Sequence, residues 1–108
     1  METQKIKTAV VILNWNGKHW LDMFLANVIE YSPNTEVIVA DNNSSDGSVK
    51  YLQKHYPNIR IIQNDGNYGY AKGYNLALQQ IDAEYFVLLN SDIQVTKNWI
   101  TPITDLMD

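Results

Sequence analysis

Four short apolar segments recur along the chain and predict buried strands. They cover residues 8–13, 36–40, 59–62 and 85–89, and each is short and rich in β-branched, aliphatic or aromatic residues. Segments of this length are too short for most helices and are typical of strands in a parallel sheet. The last segment is followed at once by Asn90-Ser91-Asp92. A carboxylate at the carboxyl end of a buried strand lies where open α/β sheets bind ligands.

The stretches between the predicted strands have the pattern of apolar residues that is typical of helices. Helices are predicted over 18–30, 48–55 and 71–81, and a further short helix over 98–107 would have Pro102 in its first turn. The first helix has a stripe of apolar residues at three-to-four spacing, which we expect to face the core. That stripe consists of Trp20, Leu21, Phe24, Leu25, Val28 and Ile29.

The order β-α-β-α-β-α-β predicts a single α/β domain over 1–108. Helix-length crossovers join successive strands, which indicates a three-layer, Rossmann-like open sheet of mainly parallel strands. All four loops that follow a strand then lie at one edge of the sheet. These loops contain Asn14, Asn16, Asp41, Asn42, Asp46, Asn64, Asp65, Asn67, Asn90 and Asp92. Turns and helix caps explain any one such cluster, but four clusters at one edge favour a polar site.

Composition restricts the function further. The formal net charge of −4 and the scattered lysines argue against a nucleic-acid-binding surface. The absence of cysteine excludes disulfides and thiolate metal sites. The apolar run near the N-terminus is too short for a signal-peptide core or a membrane span. We expect a cytoplasmic protein, and a peripheral position at the inner membrane stays open.

Common catalytic and nucleotide-binding motifs are absent from the predicted rim. Only Gly17 follows the first strand, so the dinucleotide fingerprint is missing, and 69–73 lacks the spacing of a P-loop. Carboxylates without His or Cys nearby suit Mg²⁺ or Mn²⁺, which commonly partners a phosphate. Trp15, Tyr68 and Tyr70 would either stack on a base or sugar or cover the sheet edge, and both interpretations remain open.

Four stretches together resemble the nucleotide-sugar half of family 2 glycosyltransferases. They are VVILNWNG at 10–17, ADNNSSDGS at 40–48, NYGYAKGYN at 67–75 and LLNSD at 88–92. They occur in the family's order and cover essentially the whole chain. The closest resemblance is to the rhamnosyltransferase-like branch that builds bacterial surface polysaccharides. The resemblance implies a partial GT-A fold.

The resemblance also implies roles for individual residues. The first loop, 13–15, would lie along the base, and Asp41 or Asn42 would hydrogen-bond the base or ribose. The 69–75 stretch would wrap the nucleotide and sugar, with glycine allowing close backbone approach. Asn90-Ser91-Asp92 matches the Asp-x-Asp metal motif, with Asn90 at its first position. The implied nucleotide-binding residues are Leu13, Asn14, Trp15, Asp41, Asn42, Gly69, Tyr70, Asn75, Asn90 and Ser91, and the implied metal ligand is Asp92.

The implied activity is inverting transfer of a sugar from a UDP- or dTDP-linked donor. A divalent Mg²⁺ or Mn²⁺ would assist, and the acceptor would be a glycan or lipid-linked molecule of surface polysaccharide synthesis. In the family the catalytic base and the acceptor pocket come from a second half, which we expect to be absent, so no catalytic residue is expected here. We therefore expect a truncated piece that binds nucleotide weakly and transfers no sugar. We also expect an exposed apolar edge at the last strand, which would cause self-association or marginal stability.

Two other functions stay open at this stage. A different enzyme that handles nucleotide-sugars, such as a nucleotidyltransferase, would need a basic phosphate loop near the first strand, which 14–17 does not supply. A non-catalytic α/β interaction module would use the rim residues only as loops and caps. Metal-dependent nucleotide binding separates the enzymes from the module.

Overall fold

In the part of the chain that the structure describes, four strands alternate with three helices, in the order that the sequence pattern predicts. The computed structural model describes residues 6–97, 99, 100 and 102. The elements are β1 (Ile6–Asn14), α1 (Lys18–Glu30), β2 (Glu36–Asp41), α2 (Ser48–His55), β3 (Arg60–Gln63), α3 (Gly69–Leu78) and β4 (Ala83–Asn90). The helix predicted over 98–107 falls largely outside the described residues. No helix in the described part of the chain has the length and apolar character needed to cross a membrane.

All four strands are parallel, and their order in the sheet is β3-β2-β1-β4. The register aligns the carboxyl ends of the strands, because Leu13 pairs with Ala40 on one side and with Asn90 on the other. The chain runs from β1 outward to β3 and then returns across the sheet to β4. The strand order therefore reverses between β1 and β4, and this reversal is where open α/β sheets form their ligand crevice.

The sheet is covered on both faces, which confirms the predicted three-layer α/β architecture. On one face, Val10, Ile12 and Val39 pack in a cluster with buried residues of α1 and α2. On the other face, alternate residues of the same strands pack against α3 through Tyr74 and Ala77. Successive side chains of a strand point to opposite faces, so burial on both faces explains the continuous apolar runs of β1 and β2.

The apolar stripe predicted for α1 is only partly buried. Leu21, Leu25 and Val28 are buried against the sheet, whereas Trp20 and Ile29 are 41% and 40% exposed. The predicted burial of Trp20 and Ile29 is wrong because they lie on opposite flanks of the stripe. A helix that packs on one sheet face buries mainly the centre of its apolar face.

β4 differs from the buried strand that its apolar run predicts. Within the described residues it pairs only with β1, and only Leu89 of its side chains is buried, while Leu88 is 46% exposed. The prediction of a fully buried strand is therefore wrong. Apolar composition alone does not distinguish an edge strand from a central one, because pairing is decided by the topology. Among the residues that the structure describes, no strand pairs with the outer edge of β4, as predicted, and self-association through this edge stays a prediction.

The segment after β4 returns to α1. Its Val95 backbone N–H donates to the Asn27 side-chain oxygen at 2.9 Å, and Val95 and Ile100 are buried in the α1 cluster. The Trp99 indole N–H donates to the Ser32 hydroxyl at 3.0 Å. These contacts attach the residues that follow Asp92 to the α1 side of the sheet.

Candidate functional site

A cleft of about 360 Å³ opens at the carboxyl edge of the sheet, where the strand order reverses. It is lined by Leu13, Trp15, Trp20, Asn42, Asn67, Gly69, Tyr70, Asn90, Ser91 and Asp92. Eight of the eleven predicted site residues are among them. The loops after β1 and β2, the start of α3 and the turn after β4 therefore meet around one cavity.

The loops after β1 and β2 are held together beneath the cleft by a buried polar network. Asn14 donates through Nδ2 to Asp41 Oδ1 at 2.9 Å. Ser44 donates to Asp41 twice, from its hydroxyl to Oδ1 at 2.7 Å and from its backbone N–H to Oδ2 at 2.8 Å. Asn14 and Asp41 are fully buried and do not line the cleft. Both carboxylate oxygens of Asp41 accept bonds from protein groups, and its predicted bond to base or ribose stays a prediction.

A second network fixes the start of α3 against the β2 loop. Asn42 is 1% exposed; it donates to the Gly69 carbonyl at 3.1 Å and accepts from the Asn64 amide at 2.7 Å. Gly73 allows this approach, because a Cβ there would lie 2.7 Å from Asn42 Nδ2. Gly69 has a φ of +72°, which glycine adopts without steric cost. The positions of Gly69 and Tyr70 at the cleft therefore depend on the buried Asn42.

Asp46 joins the starts of two helices next to the cleft. It accepts from the Lys18 backbone N–H and from the Ser48 backbone N–H, each at 3.0 Å, and also from the Ser48 hydroxyl. Partial burial acts to raise the pKa of Asp46, but these hydrogen bonds outweigh it and lower the pKa below its ordinary value. Asp46 lies on the predicted rim, yet its contacts cap α1 and α2 and do not reach the cleft.

The turn after β4 lies directly against the loop after β1. A Cβ on the buried Gly17 would lie 2.3 Å from Asn14 Oδ1 and 2.6 Å from the Ser91 hydroxyl oxygen. From the other face of the sheet, the Tyr74 hydroxyl donates to the Leu89 carbonyl. Burial raises the pKa of Tyr74 to about 12, so its phenol stays a donor even at a pH where a free tyrosine ionises. The turn is thus held from both sides.

The turn offers oxygen ligands to a divalent cation. Asp92 is exposed and lines the cleft beside the Asn90 amide and the Ser91 hydroxyl, and such oxygens suit Mg²⁺ or Mn²⁺. The described residues contain no group of three or more His, Cys, Asp or Glu placed to hold a metal. Mg²⁺ is commonly bound by one or two carboxylates together with substrate phosphates. The residues present therefore fit an ion that a phosphate-bearing ligand helps to bind.

Two cleft residues have no predicted site role, and one predicted residue lies elsewhere. Trp20 lines the cleft although the sequence pattern placed it in the core, and Asn67 lines it without an assigned role. The signal for Trp20 is its place in the first turn of the helix after β1, beside the ligand edge. Asn75 is exposed on α3 and is not part of the cleft lining, so its predicted contact stays a prediction.

Comparison with known proteins gives matches to several glycosyltransferases and to a teichoic acid poly(glycerol phosphate) polymerase of Staphylococcus epidermidis, which is 27% identical over 100 residues, covering 88% of this chain and 14% of that protein. An N-acetylglucosaminyl-diphospho-decaprenol L-rhamnosyltransferase of Mycobacterium tuberculosis is 28% identical over 97 residues, which is 79% of this chain and 32% of that protein. The chain spans 14% to 38% of the length of the curated relatives it matches.

Solved structures give the same fold. Staphylococcus aureus TarS 1-349 in complex with UDP-GlcNAc superimposes with a TM-score of 0.80 at 24% identity, covering 94% of this chain and 31% of that one. The mannosyltransferase PcManGT from Pyrobaculum calidifontis, in complex with GDP-Man and Mn²⁺, gives 0.71 at 22% identity, covering 85% and 29%. These likenesses confirm the predicted partial GT-A fold. Residues 9–108 match the family described as Glycosyl transferase family 2, and the chain belongs to that family.

Proposed function

We propose that this chain is the donor-binding part of an inverting family 2 glycosyltransferase that builds a surface polysaccharide or glycan. In this proposal the cleft binds a nucleotide-diphospho-sugar, and Asp92 holds a divalent Mg²⁺ or Mn²⁺. The observation that carries the proposal is the cleft at the strand-order reversal, where the four stretches of the family resemblance meet around Asp92. The named relatives support the donor class, since two of the solved structures contain UDP-GlcNAc or GDP-Man.

The cleft has the groups that a nucleotide diphosphate needs. Trp15 and Tyr70 are 53% and 65% exposed at its border, and flat aromatic rings of this kind stack on bases and sugars. Gly69 and Tyr70 are the first residues of α3, and the backbone N–H groups at a helix start favour an anion. An aromatic surface next to a helix start suits a ligand that has both a ring and a phosphate.

The charge of the cleft explains why a cation would be required. Among the described residues that line it, Asp92 is the charged one. A diphosphate oxygen close to this carboxylate would be repelled by about 1 kcal/mol per charge pair at about 4 Å in water. A divalent cation between them turns repulsion into attraction. When bound, the metal would neutralise the negative charge that develops on the leaving diphosphate.

The remaining cleft residues would bind and orient the donor. The Asn90 amide and the Ser91 hydroxyl offer hydrogen bonds to donor hydroxyl groups or to metal-bound water. If Asp92 binds the metal, the described residues that line the cleft include no second carboxylate that could act as the base and deprotonate an acceptor hydroxyl. We therefore keep the prediction that the isolated chain binds the donor without transferring sugar. Measurable transfer by this chain would contradict it.

The test measures UDP binding by calorimetry, with Mg²⁺ and with EDTA, for the wild type and two variants. The Asp92→Asn variant should lose the affinity gain that Mg²⁺ confers. In EDTA the same variant should bind UDP about fivefold more tightly than the wild type, since one repulsion of about 1 kcal/mol is removed. Glu84→Gln, an exposed charge near the opposite end of β4, serves as the matched control and should behave like the wild type.

Measurements with Mg²⁺ and with EDTA test the metal assignment and the donor site separately. Full Mg²⁺ dependence in Asp92→Asn would overturn the metal assignment. Failure of the folded wild type to bind UDP, dTDP or GDP with Mg²⁺ or Mn²⁺ would overturn the donor site and favour the non-catalytic interaction module. Comparison of the three nucleotides would show which base the cleft prefers.

A further inference from the structure

Trp20 is a large aromatic residue at the surface, although most of the apolar stripe around it is buried. Its side chain is 41% exposed and lines the cleft. Leu21, the next residue, is 1% exposed in the core beneath α1. Burying the indole as well would have been favourable, since full burial of a large apolar side chain contributes about 2 kcal/mol. Exposure at the border of a cleft is what a ligand-stacking residue requires.

The orientation of the Trp20 ring is fixed by its own helix. Phe24, one turn later, lies parallel to it, with 7° between the planes and 5.9 Å between the centroids. The His19 ring contacts it edge-on, at 64° and 5.2 Å. Both of these ring contacts come from α1, the helix that carries Trp20. A ring fixed in this way loses little conformational entropy when a flat ligand face covers it.

Trp20 lies on the side of the cleft that is nearest to the β4 turn. Gly17 and Trp20 are three residues apart, and residues at this spacing share one side of a helix. A Cβ on Gly17 would lie 2.6 Å from the Ser91 hydroxyl oxygen, so α1 begins in contact with that turn. Asn67 belongs instead to the loop that precedes α3, and Gly69 and Tyr70 are the first residues of that helix. The cleft thus has one side formed by the start of α3 and one side formed by the Trp20 indole and the turn Asn90-Ser91-Asp92.

We propose that Trp20 is the platform on which the pyranose ring of the donor stacks. A pyranose has an apolar C–H face that fits an aromatic ring, and hydroxyl groups around its edge that fit Ser91 and Asp92. The base would lie on the opposite side, where the exposed ring of Tyr70 offers a separate surface for stacking. This inference rests on the proposed function and adds a residue that selects for the sugar part of the donor.

The test compares UDP-N-acetylglucosamine, UDP and free N-acetylglucosamine, all with Mg²⁺, by calorimetry or chemical-shift titration. Trp20→Leu removes the aromatic ring and keeps an apolar side chain, while Trp20→Phe keeps a ring. Met23→Ala is the matched control, because Met23 is 52% exposed on α1 but does not line the cleft. Trp20→Leu should weaken the affinity for UDP-N-acetylglucosamine about fivefold, as expected for loss of one aromatic contact, and should leave the affinity for UDP unchanged. Trp20→Phe should restore most of the affinity.

Each alternative result has a separate meaning. An equal loss for UDP and for the sugar nucleotide would overturn the inference, since Trp20 would then contact the nucleotide or support the fold. A loss confined to free N-acetylglucosamine would overturn it in favour of an acceptor contact. Unchanged binding of all three ligands by Trp20→Leu would refute the inference while the proposed function stands. Absence of UDP binding by the wild type would refute both.

Discussion

At Gly73, an added methyl group should have two opposite effects on stability. It would overpack the contact of α3 with Asn42, and it would improve the helix propensity of α3. A Cβ at Gly73 would lie 2.7 Å and 2.9 Å from the two terminal atoms of Asn42, and 3.1 Å from the Leu13 side chain. The end of Leu13 can shift by a few tenths of an ångström, but Asn42 is 1% exposed and hydrogen-bonded on both terminal atoms. Gly73→Ala should therefore displace Asn42.

The magnitude follows from opposing terms. Overpacking a core costs about 1–3 kcal/mol, and displacing Asn42 weakens two hydrogen bonds that are worth about 1 kcal/mol each. Replacing glycine by alanine inside a helix returns about 1 kcal/mol. We expect Gly73→Ala to lower the free energy of unfolding by about 2 kcal/mol. Asn75→Ala, at an exposed position of α3, is the control and should stabilise slightly through helix propensity.

The assay is urea unfolding of the wild type, of the single variants Gly73→Ala and Asn42→Ala, and of the double variant that combines them. Without the Asn42 side chain the added methyl group has room, so Gly73→Ala should become neutral or stabilising in that background. The double-mutant cycle should then show a coupling of about 2 kcal/mol. Additive effects, or a stabilising Gly73→Ala in the wild-type background, would refute the contact between Gly73 and Asn42 as the reason for glycine at this position.

Four further predictions follow from other contacts. Asp46→Ala should cost about 1 kcal/mol by removing a cap shared by two helices. Because the pKa of Asp46 is lower in the folded state than in the unfolded state, its contribution to folding stability is complete above the unfolded pKa. That contribution is lost as the pH falls through the folded pKa, so the urea midpoints of wild type and variant should converge in acid. Gly17→Ala should lower the melting temperature by overpacking worth about 1–3 kcal/mol, since its Cβ would lie 2.3 Å from a buried carboxamide oxygen; an unchanged melting temperature would contradict that contact. Tyr74→Phe should cost about 1 kcal/mol by removing the hydrogen bond to the Leu89 carbonyl. It should also remove the part of the stability loss between pH 10.0 and about 12 that Tyr74 causes, while Tyr51, whose pKa burial also raises to about 12, keeps its own part. Alkaline unfolding curves that match those of the wild type would argue against this role of Tyr74. The exposed β4 edge should self-associate at high concentration in sedimentation experiments, and Leu88→Lys should reduce this; a wild type that stays monomeric would disprove it.

Much of the fold follows from periodicity in the sequence. The predicted bounds of α1 and α2 match those in the structure, and the four strands occur where short apolar runs predict them. The predicted span of α3, 71–81, is displaced toward the C-terminus from the observed Gly69–Leu78. The glycine at the helix start carries a positive φ, and this feature has no periodic signal in the sequence.

The sequence by itself determined that polar loops would gather at one edge of a parallel sheet, with Asn90-Ser91-Asp92 among them. Local apolar patterns and helix-length crossovers are sufficient for that, because parallel strands place all their carboxyl ends together. Only the tertiary structure decided which of these residues face the cleft. Asn14 and Asp41 pair with each other below it across 27 positions of sequence, whereas Asp92 stays exposed. The tertiary structure likewise placed Trp20 at the cleft and β4 at the edge. Such outcomes depend on contacts between distant segments, which no local pattern of residues specifies.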